Sequence, residues 1–419
     1  MDRAVRRHRP AVNVYFHTFG CKANQYDTER VRQAFADAGA TVVEAAENAE
    51  LAVVNSCTVT EESESKLRRY VRRQARAGRD TIVMGCAAAL DRGALASLPR
   101  VRAVVGGAAP TEVLAAAGVP VSAIDPVLRR FSGGARGWLK IQDGCDEHCT
   151  FCATTIARGA NRSRPVPEIV AEARALAEHH AELVLTGVHI GTYGKDKDVV
   201  GGQWSEASSL GELLEALVSA VPQVRFRLSS IEATEVDDRI ARLLVEAPRN
   251  LAAHLHAPLQ SGSNRVLKRM GRHWYTAESY RARIEWLAAR LSIFGLGADV
   301  IAGFPGETSE DHAATCALVR ELPFTYLHVF PFSTRPDAAA ARLSDQHSAA
   351  TIRARAAELR TLGEERAAAH RAARTGGRGD GVVCGHQGGQ VDVLTQDYLT
   401  VYLSSRAWDG RPRLDVTVS

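Results

Sequence analysis

The sequence predicts an α/β protein in three parts: an N-terminal open parallel α/β sheet, a central partial (β/α)6 barrel and a small C-terminal all-β module. Three observations carry that prediction. Buried-type strands alternate with amphipathic helices over the first hundred residues. After a Gly-rich break the same alternation resumes for six further repeats, the rhythm of a full or partial parallel barrel. Beyond a long Ala/Arg-rich helix, the last forty or so residues change to period-two alternation.

In the first part, Val12–Thr18, Leu51–Asn55, Thr81–Met84 and Val101–Val105 read as strands, and Gln25–Ala38 and Glu61–Ala77 as helices. The pattern weakens from Gly106, and Phe131–Gly137 has the composition of a boundary. The barrel strands are expected at Trp138–Gln142, Glu182–Thr186, Arg225–Ser229, Ala252–His256, Gly297–Ile301 and Tyr326–Phe330. Between them, Pro167–His180, Leu210–Ala220 and Thr276–Leu291 read as helices. A helix should run to about residue 373, Gly376–Gly379 should break it, and Val382–Val418 should be β. The expected domains are 11–120, 131–360 and 361–419.

Composition narrows the class. Of 419 residues, 45% are hydrophobic and 24% charged, as in folded soluble proteins. No window reaches the roughly 18 apolar residues of a membrane span. Met1–Pro10, with Arg3, Arg6, Arg7 and Arg9, reads as a disordered basic arm rather than a targeting signal. The expected location is the cytoplasm. Eight cysteines without a secretory signal argue against a disulfide scaffold and for metal or redox chemistry.

Cys145, Cys149 and Cys152 form C-x3-C-x2-C in a loop just after an expected strand. Three thiolates on a [4Fe–4S] cube leave one iron with an open position, as a catalytic centre needs. The methionine part of S-adenosylmethionine can chelate that iron, and an electron from the cluster then cleaves the sulfonium to an adenosyl radical. A zinc site is the plainer alternative. It needs a fourth ligand, which does not follow at suitable spacing, and His148 adjoins Cys149 too closely to converge on the same ion.

Cys21, Cys57 and Cys86 lie far apart in sequence, yet each follows an expected strand. Parallel strands bring those ends to one edge, where open α/β sheets place ligands. A second cluster with an open iron is expected there. The alternative is three unrelated buried thiols, which the repeated strand-end placement disfavours. Cys316 and Cys384 have no such companions and read as structural.

These residues resemble the radical S-adenosylmethionine methylthiotransferases. The N-terminal part is similar to that family's own domain through Thr18–Gln25, Asn55–Thr60 and Met84–Cys86. The radical core is matched by Gln142–Cys152, Ala157–Gly159, Arg162–Arg164, Leu185–Gly191, Ser229–Glu232, His256–Ser263 and Ile301–Thr308. The C-terminal module looks like the TRAM RNA-binding barrel of such enzymes. The resemblance implies two [4Fe–4S] clusters and two uses of S-adenosylmethionine: one methylates a sulfur held at the N-terminal cluster, the other yields the radical that opens a C–H bond for the methylthio group.

Gly20–Gln25 and the run Arg158–Arg164 look most like the branch acting on C2 of N6-threonylcarbamoyladenosine at position 37 of tRNA. Other branches act on isopentenyladenosine in tRNA or on an aspartate of a ribosomal protein. Two departures from the family pattern are Ala153–Ala157, in place of an Ile-Pro-Tyr type of segment, and Asp337, where Gly is usual after Arg335-Pro336. Implied partners are the tRNA anticodon stem-loop, an electron donor and a sulfur donor, with a monomeric enzyme and no membrane. A non-catalytic iron–sulfur carrier is the reading from another class, but a carrier needs no cofactor pocket.

Candidate cofactor contacts are Phe151, Thr186, Gly187, Ser229, Glu232 and Gln260. Several have plainer readings: a loop-anchoring aromatic for Phe151, a tight turn for Gly187, a solvated carboxylate for Glu232. His254 and His256 read as pocket-lining or satisfied core residues. Net charge is only +4, but the cations are grouped. Arg68, Arg69, Arg72, Arg73 and Arg76 share one helix, Arg158, Arg162 and Arg164 follow the cysteine loop, and Arg371, Arg374 and Arg378 lie in the C-terminal run. Such groups beside a β module suit a phosphate-tracking surface.

Overall fold

The computed structural model describes residues 12–58, 61–121, 123–196, 209–335 and 337–419. The basic arm at Met1–Pro10, Thr60 of the second N-terminal motif and Pro336 lie outside the described residues. The chain divides into two compact units, one of residues 1–128 with 156–158 and one of 129–155 with 159–419.

The first unit runs β1 (Asn13–Thr18), α1 (Lys22–Asp37), β2 (Thr41–Val43), β3 (Leu51–Ser56), α2 (Glu61–Arg76), β4 (Asp80–Gly85), α3 (Cys86–Ala89), β5 (Val101–Gly106) and α4 (Pro110–Ala117). The five strands form a sheet in the order β2-β1-β3-β4-β5, parallel throughout. Central β3 is buried at every position, as its unbroken Leu-Ala-Val-Val run requires of a strand covered on both faces. Val31 and Phe35 of α1 and Val113 and Leu114 of α4 cover one face with Val14, Val53 and Ile82. Leu67, Tyr70 and Val71 of α2 cover the other with Ala52, Val54 and Val83. Three elements go beyond the sequence reading, one of them the single turn α3. The strand β2 is a three-residue edge strand, too short for periodicity to register. Helix α4 lies where the pattern weakens, marked only by Pro at its first turn and by Gly118 in the left-handed conformation at its end.

In the second unit the strands are β6 (Arg136–Lys140), β7 (Gln142–Asp143), β8 (Arg162–Ser163), β9 (Glu182–Thr186), β10 (Arg225–Leu228), β11 (His254–His256), β12 (Gly295–Ala302) and β13 (Tyr326–Pro331). Its helices are α5 (Thr154–Arg158), whose last three residues count with the first unit, α6 (Val166–Ala177), α7 (Leu210–Ala220), α8 (Asp238–Glu246), α9 (Asn264–Arg269), α10 (Ala277–Ala288), α11 (Ser309–Glu321) and α12 (Ala349–Arg374). Two three-stranded parallel sheets, β10-β9-β6 and β11-β12-β13, are joined by parallel bridges at Phe226–Leu251 and Ser230–His256. The six expected barrel strands are therefore present, in sequential order.

The chain ends in an antiparallel sheet ordered β16-β15-β14-β17: β14 (Arg378–Gln387), β15 (Gln390–Thr395), β16 (Thr400–Ser404) and β17 (Arg413–Thr417). It belongs to the same compact unit as the barrel, and residue 361 falls inside α12 rather than between elements. The reason is a buried charge network. Glu182 at the start of β9 is fully buried and accepts from Arg225 Nε at 2.6 Å, Arg227 NH2 at 3.0 Å and Arg136 Nε at 2.7 Å. The same arginines donate onward: Arg225 to the carbonyls of Asp380 and Leu394, Arg227 to those of Thr395 and Gln396. The barrel floor and the C-terminal sheet thus share donors that neither can lose. Burial pushes the Glu182 carboxyl up, but Arg225, Arg227 and Arg136 outweigh it and hold it well below 4.5.

Glu182→Ala leaves buried guanidiniums uncompensated and should destabilise the second unit by roughly 3–5 kcal/mol, read from the urea midpoint. Since the folded pKa of Glu182 is depressed, the network's contribution is complete above the ordinary value of 4.5 and is lost as pH falls below it. The wild-type midpoint should therefore fall more steeply on acidification than that of the variant.

Candidate functional site

Two cysteine sites form at strand ends. In the first unit, parallel register sets Thr18 beside Asn55 and Asn55 beside Met84, so β1, β3 and β4 finish together. Cys21 precedes α1, Cys57 directly follows β3, and Cys86 opens α3. Asn24 ties them. Its amide donates to Phe19 O and Ser56 O, both at 2.9 Å, and its Oδ1 lies 3.8 Å from Cys21 Sγ and 3.7 Å from Cys86 Sγ. Two glycines make the approach possible. Gly20 has φ +107°, and a Cβ there would stand 2.9 Å from Cys57 Cβ. Gly85 has φ +92°, and its Cβ would stand 2.1 Å from Asn55 Oδ1. Cys21 and Cys86 thus flank Asn24 and Cys57 lies against Gly20, with Cys21 exposed and the other two buried.

Arg158 belongs to this unit by its contacts. Its Nε lies 3.2 Å from Cys86 Sγ, and NH2 bonds Asn24 Oδ1 at 2.6 Å and Asp27 at 2.9 Å. Burial pushes the Cys86 thiol up, and the Arg158 charge opposes this, favouring the thiolate a metal needs. The expectation that Arg158 contacts RNA is therefore corrected: its guanidinium is buried on a cysteine and a carboxylate.

The second site lies in the loop after β7, the two-residue strand that follows β6. Gly144 has φ +71°, and a Cβ there would overlap Ala160 O at 1.8 Å, so only glycine lets Cys145 N reach Gly159 O at 3.0 Å. Gln142 holds the loop: its Nε2 donates to Gly144 O and to Asn161 Oδ1, and its Oε1 accepts from Val188 N and His189 N, each at 3.0 Å. Backbone amides point at sulfur, Glu147 N 3.4 Å from Cys145 Sγ and Thr154 N 3.3 Å from Cys152 Sγ, the hydrogen bonding that tunes iron–sulfur centres.

Charged side chains surround these thiols. Arg272 approaches Cys149 Sγ at 3.5 Å, pairs with Glu232, and lies over the rings of Trp274 and Tyr275. Burial pushes the Cys149 thiol up to about 12, against the pull of Arg272. His189 Nδ1 stands 3.7 Å from Cys145 Sγ and Nε2 3.0 Å from Glu235. Burial would depress this imidazole, but the contacts with Cys145 and Glu235 prevail and raise it to about 10.

The expected cofactor residues take the following places. Thr186 ends β9, buried, and its carbonyl accepts from Ile141 N at 2.9 Å. Gly187 follows, where a Cβ would meet Gln142 Oε1 at 2.7 Å. Ser229 follows β10, buried, with its amide on Leu185 O. Glu232 is buried rather than solvated, and its Oε2 has no hydrogen-bond partner among the described residues. Such an orphaned acceptor fits a hydroxyl of a bound cofactor. Gln260 has φ +61°, bridges to β12 and is buried, and half-buried Phe151 sits on the cysteine loop itself. Among the other arginines, Arg162 and Arg378 are exposed. Three others are engaged by groups of the chain. Arg164 pairs with buried Glu172, Arg374 with buried Asp397, and Arg371 donates to Thr400 O and Ser419 O. Asn24, Gln142, His189 and Arg272 were given no role by sequence reasoning. The first three lie inside the quoted motifs, whereas no local signal marks Arg272.

Family models match in two places: an uncharacterized family, UPF0004, over residues 13–106 and the radical SAM superfamily over 139–319. The chain is 37% identical to the threonylcarbamoyladenosine tRNA methylthiotransferase MtaB of Bacillus subtilis, over 80% of this chain and 76% of that one. It is 37% identical to the Thermotoga maritima protein of the same name, over 79% and 77%. It is also 34% identical to the tRNA-2-methylthio-N(6)-dimethylallyladenosine synthase of Sorangium cellulosum, over 86% and 79%. Among solved structures, the radical S-adenosylmethionine methyltransferase TsrM of Kitasatospora setae superposes with a TM-score of 0.58 at 15% identity, covering 79% of this chain and 75% of that one. That likeness speaks to fold.

Anaerobic reconstitution should load about eight irons, two cubes. Gly144→Ala should displace Cys145 and lose about half of the iron together with S-adenosylmethionine cleavage, whereas Cys57→Ala should lose the other half and keep cleavage. Full iron and cleavage in Gly144→Ala would show that the loop does not need the glycine.

Proposed function

Since the chain belongs to the radical S-adenosylmethionine methylthiotransferase family, we propose that it places a methylthio group on C2 of N6-threonylcarbamoyladenosine in the anticodon loop of tRNA. The observation that carries this is the pair of separate three-cysteine sites on one chain, each at the ends of parallel strands. A radical enzyme that only cleaves S-adenosylmethionine needs one such site, and a sulfur-inserting one has use for two. The choice of base is supported by the MtaB relatives at 37% identity.

When bound, the two clusters and S-adenosylmethionine supply electron transfer, a methyl group and the sulfur to be transferred. The chain's residues do the rest. Cys145, Cys149 and Cys152 hold one cluster, and Cys21, Cys57 and Cys86 the other. Arg272 and Arg158 place positive charge beside the thiolates, which three thiolates per cluster require. Glu232 offers its free oxygen to a ribose hydroxyl, and the backbone at Gly187 lets an amino group approach closely. Gln142 locks the cysteine loop to the turn after β9. The target base must leave its stack to expose C2, which costs least in a loop. Exposed Arg162 and Arg378 and the C-terminal sheet are assigned to the RNA, with residues 361–419 as its binding module. The remaining needs are an electron donor and a sulfur donor in the cytoplasm, for an enzyme acting as a monomer. No helix among the described residues is long and apolar enough to cross a membrane.

Reconstituted enzyme, S-adenosylmethionine and a reductant should convert threonylcarbamoyl-bearing tRNA to its methylthio form, read by nucleoside mass spectrometry. Product from isopentenyl-bearing tRNA alone would move the chain to the branch of its Sorangium cellulosum relative. Cleavage without product on either tRNA would redirect the search to a protein target.

A further inference from the structure

The face of α2 turned away from the core carries cations that neither cysteine site uses. Lys66, Arg69, Arg73 and Arg76 recur at i, i+3, i+7 and i+10, one stripe of a helix, while Leu67, Tyr70, Val71 and Gln74 turn inward. All four cations and Arg72 are exposed. Like charges so spaced repel. Lys66 is offset by Glu62 at 2.7 Å, but Arg69, Arg72 and Arg76 form no ion pair among the described residues.

These five side chains wall a groove of about 520 Å³ whose other lining is aromatic: His17, Phe19 and Tyr70. The rings of His17 and Tyr70 are stacked 4.1 Å apart at 9°, and Phe19 meets them edge-on at 4.6 and 5.7 Å. Arg73 lies over the Tyr70 ring at 4.9 Å. Burial, with Arg73 nearby, holds His17 below its ordinary pKa, so it presents a neutral ring. Phe19 stands two residues before Cys21, at the turn from β1 into the first cysteine site.

Cations that follow a backbone, beside rings that stack bases, are how proteins hold single-stranded nucleic acid. An acidic peptide would use the charges and leave the rings idle, and a paired base has no free face to offer them. The volume suits a unit of small-ligand size, such as one nucleotide. We propose that this groove docks an unpaired nucleotide of the tRNA loop and its flanking phosphates. The inference rests on the tRNA reading above and adds a second RNA contact, in the cysteine-bearing N-terminal unit.

The test measures binding of an anticodon stem-loop to the full-length reconstituted chain across a salt series, with iron content and circular dichroism as checks of integrity. The combined variant Arg69→Ala, Arg72→Ala, Arg76→Ala should weaken binding and make the slope of log K against log salt shallower by about 2, three lost phosphate contacts at about 0.7 each. Phe19→Leu should weaken binding about tenfold with the slope unchanged, as loss of one stacked base does. Arg102→Ala, an exposed cation outside the groove, should leave both unchanged. Wild-type affinity and slope in the triple variant would overturn the groove while wild-type methylthiolation of tRNA still stood. Failure of the wild-type chain to bind the stem-loop would overturn the tRNA reading and the groove with it.

Discussion

Parallel strand pairing is the constraint on which the rest of this molecule depends. A parallel ladder delivers every strand's C-terminal end to the same edge, and the backbone groups that leave the ladder there are free for loops and ligands. In the first unit that edge gathers Cys21, Cys57 and Cys86 across 65 residues of chain, with the register Thr18–Asn55–Met84 placing their strands level. In the second it gathers the loop after β6 and β7, the turn after β9 and the segment after β10, so that Gln142, His189 and Glu232 can serve one cysteine loop. Antiparallel pairing would have sent alternate ends to opposite edges and left neither triad together.

Arginine recurs wherever the fold buries negative charge. Arg225 and Arg227 share Glu182, Arg158 joins Asp27 to Cys86, and Arg272 joins Glu232 to Cys149. Each guanidinium has donors enough to serve two acceptors at once, which a lysine ammonium does with less fixed geometry. The Glu182 set has a structural use: its arginines finish on carbonyls of the C-terminal sheet, making sheet and barrel one body. The other two lie against cysteines. There the positive charge opposes the desolvation that burial imposes on a thiolate, which the raised thiols of Cys86 and Cys149 register.

This use of arginine inside the fold also redistributes the basic surface. Of the cations grouped around the cysteine loop and the C-terminal run, Arg158, Arg164, Arg371 and Arg374 are engaged with partners of the chain, while Arg162, which donates to Ala160 O, and Arg378 are exposed. On α2 the opposite holds. The helix buries Leu67 and Val71 and leaves its cations in solvent around an aromatic floor.

The sequence by itself determined most of the longer elements and named the candidate ligands. Period-two and period-3.6 patterns are local, so β3, α2, the barrel strands and the tail sheet can be read from neighbouring residues. C-x3-C-x2-C is local too, and Cys21, Cys57 and Cys86 became legible once each was seen to follow a strand. The tertiary structure alone decided which charges are free and which are spent. Arg374 and Arg378 are the same residue type four positions apart, yet one is paired with a buried aspartate and the other faces solvent. Arg272 and Glu232, 40 residues apart, meet because the bridges Phe226–Leu251 and Ser230–His256 set β10 beside the segment of β11. Periodicity records which face of an element is apolar, but the partner of a long charged side chain is set by a distant segment, and one sequence holds no local trace of that pairing.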